Sequence, residues 1–172
     1  MNQRLADWAS IAEIIGAAAI VISLIYVGIE VNDSTRAVRS ATANETSAAI
    51  SSWYAEIGVD QHASHIVLDG FANPDSLSRD ETAQFIYLMH GLFLQYQAAY
   101  YLSQEGTLDN ELQESVTNTI LGVRDLPGMQ LYWRQRGNLF KPAFRELVND
   151  LVQSGRTNSD LEELYRMPDT ED

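Results

Sequence analysis

The residues best suited to chemistry are His62, His65 and Asp69, spaced i, i+3 and i+7. On a helix that spacing puts two imidazoles and a carboxylate on one face, a sensible donor set for a divalent metal. The competing reading is the polar outer face of a short helix whose inner face is Ile66, Val67 and Phe71. Two histidines without a fourth partner do not define a site, so no metal is assigned. His90 lies among Ile86, Tyr87, Gly91 and Leu94, where a buried, hydrogen-bonded core histidine is expected rather than a catalytic base. Gly91 beside it is expected to mark a close helix crossing. Tyr96, Tyr100, Tyr101, Tyr132 and Trp133 could line a ligand pocket, although aromatics at helical spacing more often make core. There is no P-loop, dinucleotide fingerprint, serine triad order or HExxH. No catalytic residue, no cofactor and no enzymatic role is expected.

Charge and composition narrow the partners. Lys and Arg number 11 against 24 acids, a net charge of −13, so nucleic acid is excluded as an expected partner. The absence of cysteine removes disulfides, thiolate catalysis and Cys-based zinc sites. Arg124, Arg134, Arg136, Lys141, Arg145 and Arg156 fall close together. They read as a solvated face pairing with Asp125, Glu146 and Asp150. The sharper reading is a positive surface touching anionic lipid headgroups.

Those groups must be positioned by helices, and the most distinctive one comes first. In "EIIGAAAIVISLIYVGIE", Glu13 and Glu30 bracket an uncharged run. With Ser10–Ala12 and Val31 added, a helix here approaches the ~30 Å of the hydrocarbon core. Trp8 and Tyr26 stand near its ends, where amphipathic rings favour the interface. A secretory signal fits less well, because Arg4 is offset by Asp7 and the apolar run is long. A soluble core helix would more often carry a polar face. The expectation is therefore a membrane span at residues 1–31. A helical soluble domain should follow at 32–155, then a short helix and acidic tail at 156–172. Arg36 and Arg39 follow the span against Arg4 before it. The positive-inside bias thus puts the N-terminus outside and the domain in the cytoplasm of a bacterial inner membrane.

Within the span, Ala9, Ala12, Gly16, Ala19, Ser23, Tyr26 and Glu30 step alternately by three and four residues. They form a stripe whose small members permit close backbone approach. Ile14, Ile20, Val21, Leu24 and Ile25 lie opposite and suit lipid. The expectation is a homo-oligomer with the stripe inward, a scaffold or protein-interaction module whose partners are the bilayer, other copies and other membrane proteins. As an alternative, copies of Glu30 around an axis would form an acidic ring at the mouth of a cation pore. A metal-dependent sensor or enzyme using His62, His65 and Asp69 is a third reading.

No Pro or Gly interrupts residues 29–57, so the span is expected to continue as a helix anchored by Val38, Ile50, Trp53 and Ile57. A short helix should end at Gly70, and "NPDS" should turn. "SRDE" reads as a capping box with Ser78 as N-cap, opening a central helix to about Ser103. Its core face is Phe85, Leu88, Met89, Leu92, Tyr96, Ala99 and Tyr100, with Ile86, Leu94 and Tyr101 adding apolar surface. Leu108, Leu112, Val116, Ile120 and Val123 mark the next helix. Leu131, Tyr132 and Trp133 lie in a shorter one begun by "DLPG". Pro142 opens the next, with Phe144, Leu147, Val148, Leu151 and Val152 inward and a stop at Gly155. "SDLE" at 159–162 should cap a further short segment. No alternating β-branched run appears, so the fold class is all-α.

Four segments are similar to a widespread group of small, uncharacterised bacterial membrane-anchored proteins with one N-terminal span and a helical domain. They are "WASIAEIIGAAAIVISLIYVGIEVNDST", "LDGFANPDSLSRDETAQF", "YQAAYYLSQEGTLDNEL" and "PGMQLYWRQRGNLFKPAFRELV", across residues 8–152. The resemblance implies architecture and carries over no catalytic residue. The "DQHASH" stretch departs from the pattern expected of that group, so the histidines look particular to this chain.

Overall fold

A computed structural model describes residues 2–154, with side-chain surroundings given for Trp8 and from Glu13 onward. Six α-helices and two short 3-10 turns make up the described residues, with no strand among them. The chain divides into two compact units, Met1–Ala41 and Thr42–Asp172. Helix α1 (Asn2–Val59) runs through the division without a break, as the lack of Pro and Gly over 29–57 leads one to expect.

In the first unit, every residue from Glu13 to Ala41 is exposed. Among the described residues α1 is the one helix long and apolar enough to cross a membrane, and none of its apolar stretch is buried. Val38, expected as an anchor, is 53% exposed, because packing begins only at Thr42. The boundary expected at 31/32 marks where hydrophobicity ends, which lies ahead of where packing starts.

The second unit is a bundle built on α3 (Arg79–Gln104). From α1 it takes Ala43, Ile50 and Trp53, packed against the core, and the buried Ile57. The Trp53 Nε1–H donates to Leu88 O at 2.9 Å, fastening the end of α1 to α3. Helix α2 (Gln61–Ala72) packs on α3 and on α5 (Pro127–Arg136), while α4 (Asn110–Val123) packs on α3 and on α6 (Pro142–Gln153). The starts of these helices follow local chemistry. Asp60 accepts from the His62 and Ala63 N–H groups, and Ser78 with Glu81 completes the capping box. Asp109 caps α4 by accepting from Glu111 N–H, so Leu108 sits in the preceding turn although it is buried. Pro127 and Pro142 open α5 and α6 at positions that need no N–H donor. The break after α3 is made by Gly106 at φ +70°, a left-handed conformation suited to glycine.

Phe85, Phe93, Met129, Tyr132, Phe144 and Val148 are among the most completely buried side chains. Phe93 was not on the expected face of α3, yet its ring lies 5.0 Å from Tyr132 and 5.7 Å from Trp133. Ile86 is also buried, whereas Leu94 is 46% exposed. A central helix covered by neighbours on several sides buries more than one stripe. The close helix crossing lies elsewhere than expected. A β-carbon on Gly91 would meet open space, but one on Gly128 would overlap the Gly70 carbonyl oxygen, and one on Gly70 would strike the Phe85 ring. Gly70 therefore does not end α2, which continues to Ala72 and crosses α5 there. Helix α6 ends at Gln153, where Ser154 N–H reaches Asp150 O at 2.8 Å. Gly155, Arg156, the segment capped at 159–162 and the acidic tail lie outside the described residues.

Candidate functional site: an exposed apolar helix and an apolar cavity

Ile14, Ile20, Val21, Ile22, Leu24 and Ile25 on α1 are each 56–69% exposed. Fully burying one such side chain is favourable by roughly 1.5–3 kcal/mol, so water is a poor surrounding for this surface. The small-residue stripe shares its openness: Gly16 has nothing near it, and Ala19, Ser23, Tyr26 and Glu30 are exposed. The side-chain surroundings of Ala9 and Ala12 are outside the description.

The histidine set separates. His65 Nε2 lies 3.3 Å from Asp69 Oδ2, an exposed i, i+4 pair. His62 instead sits on the first turn of α2, where its N–H is held by Asp60 Oδ1 at 2.8 Å. No group of three potential metal ligands forms among the described residues, because a seven-residue separation along a helix is two turns, about 10 Å. His90 matches expectation more closely. It is half-buried, with Nδ1 and the Tyr132 hydroxyl 3.2 Å apart in a hydrogen bond whose direction follows the imidazole tautomer. Burial pushes the Tyr132 phenol above its ordinary range and keeps it protonated.

The basic cluster is not uniformly a solvated face. Arg124 is 4% exposed, with Nε donating to Asp125 Oδ2 at 3.1 Å and Nη1 to Ser154 Oγ at 3.2 Å. No other ion pair joins this group among the described residues. The Lys141 ammonium lies 4.6 Å from the Tyr101 ring centroid, a cation–π contact.

An apolar cavity of about 510 Å³ lies within the second unit, in the size range of small-molecule sites. Trp53, Leu68, Met89, Phe93, Ile120 and Leu126 are among its lining, with Asp69 as its carboxylate. Of the expected pocket aromatics only Tyr96 lines it; Tyr132 and Trp133 belong to the core. The lining comes from α1, α2, α3, α4 and the turn before α5, so no local spacing announces it.

Neither a protein-family model, nor a curated protein, nor a solved structure aligns with this chain.

Proposed function

We propose that the chain is a single-pass membrane protein of a bacterial inner membrane. Its N-terminal helix spans the bilayer and associates with other copies, and its helical domain acts on the cytoplasmic side as a scaffold or protein-interaction module. The observation that carries this reading is the uncovered apolar surface from Ile14 to Val31, about 27 Å of helix at 1.5 Å per residue. Lipid satisfies such a surface and requires only that the backbone be hydrogen-bonded internally, as in a helix. The Ala9-to-Glu30 stripe supports self-association, since packing of small residues is what lipid-solvated helices use in place of hydrophobic attraction. The bacterial attribution draws on the likeness to small membrane-anchored proteins.

The test uses the full chain in native membranes. It should stay with the membrane pellet through an alkaline wash, and release would remove the span. Native mass analysis should show multimers, reduced to monomer by Gly16→Leu with Ala19→Leu. Unchanged size in that double variant would remove the interface. A reporter fused after Asp172 should be active in the cytoplasm; periplasmic activity would reverse the topology.

A further inference from the structure

The apolar cavity has a polar neighbour. A second hollow of about 370 Å³ is lined by Glu111, Glu114, Ser115 and Asn118, together with Tyr54 and Thr119. Tyr54 and Thr119 also line the apolar cavity, so the two spaces adjoin along these residues. We infer that together they form a binding site for a single-chain cationic amphiphile, its apolar body in the larger cavity and its ammonium group beside Tyr54, Glu111 and Glu114.

Charge decides the sign of the headgroup. Among the described residues, no Lys, Arg or His lines either space. Glu111 and Glu114 form no ion pair among the described residues, and the chain as a whole carries −13. Two uncompensated carboxylates attract an ammonium and repel the carboxylate of a fatty acid. The aromatic at the junction adds to this. Trp53 meets Tyr54 edge-on with centroids 5.1 Å apart, and the Trp53 N–H is held by Leu88 O. That contact braces the Tyr54 ring, which is 46% exposed and has a face suited to a quaternary ammonium. The lining of the larger cavity includes Phe93, Met89 and Ile120, which offer an alkyl chain apolar contact, while its one carboxylate, Asp69, is paired with His65.

This site lies wholly in the helical domain and does not depend on the membrane reading, so a chain that does not insert in a bilayer is titrated with the same probes in buffer, with the same outcomes expected. The test is calorimetry on the full chain in phosphatidylcholine nanodiscs, with heats from empty discs subtracted. The probes are decyltrimethylammonium and decanoate, matched in chain length. Decyltrimethylammonium should bind saturably, one per chain, and decanoate at least ~10-fold more weakly. Glu111→Gln with Glu114→Gln should weaken the cation about tenfold, as expected for losing two partly screened charges. Both glutamates are exposed, so this variant should fold normally. Val123→Phe, which puts a ring into the cavity from a buried lining position, should abolish saturable binding. Equal affinity for decanoate, an unchanged affinity in the double glutamine variant, or no saturable heat above empty discs would each overturn the assignment.

Discussion

Residues 13–41 and 42–154 contain similar apolar side chains and give them opposite surroundings. Ile22 on the first stretch is 67% exposed, whereas Ile66 and Ile120 in the bundle are 0% and 1% exposed. The difference lies in what each segment offers a neighbour. The bundle presents stripes that interdigitate with other helices, and its polar residues cap helix ends. From Ile14 to Ile29 the first stretch carries no charged residue on any side, and among the described residues its side chains are exposed. An all-round apolar helix needs cover on every side, from lipid or from a large protein core, whereas a one-sided helix needs only the neighbour it packs on. The sharpest way to break this comparison is to shorten one residue in each region. Phe144→Ala in the core should lose about 3–5 kcal/mol of domain stability. Ile22→Ala should shift it by less than ~0.5 kcal/mol. Urea unfolding followed by tryptophan fluorescence reads both. A comparable loss from Ile22→Ala would mean that the first stretch is packed against protein.

A second contrast lies inside the bundle, between two glycines of similar appearance in sequence. Gly128→Ala should destabilise by about 1–3 kcal/mol, because its β-carbon meets the Gly70 carbonyl, which cannot rotate away as a side chain can. Gly91→Ala, in the interior of α3 with open space around it, should raise stability by up to ~1 kcal/mol through helix propensity. Thermal melts of the two variants should therefore move in opposite directions. Movement in the same direction would contradict the α2–α5 crossing described here.

These glycines also mark where sequence reading stops. The all-α class, the continuous first helix, the capping box at Ser78 and the prolines opening α5 and α6 were legible, because each is set by neighbouring residues. The partner of a glycine is set by the tertiary fold, so Gly91 drew attention and Gly128 did not. Phe93 was missed for a related reason: helical spacing identifies one face, and α3 is covered on several. The apolar cavity was illegible because its walls come from four helices and a turn. The histidine set shows the limit of spacing alone, since His62, His65 and Asp69 share one face by spacing but form no group of three potential ligands among the described residues.

A more local effect tests the other end of this contrast, the capping box that starts α3. Ser78 Oγ accepts from Glu81 N–H at 3.3 Å, and Glu81 Oε2 accepts from Ser78 N–H at 2.8 Å. Ser78→Ala removes the first bond and should cost about 1 kcal/mol at neutral pH. The hydrogen bonds from the Ser78 side chain and then its backbone hold the Glu81 carboxyl below its ordinary value. A carboxyl depressed in the native state binds protons more readily once unfolded. Its stabilisation is therefore full above the unfolded value and fades as pH falls through the native one. Glu81→Gln keeps an acceptor for Ser78 N–H but cannot titrate. The stability advantage of the parent over this variant should thus be largest near neutral pH and shrink on acidification. An advantage that stays constant down to strongly acid pH would show that the charge of Glu81 contributes nothing at this helix end.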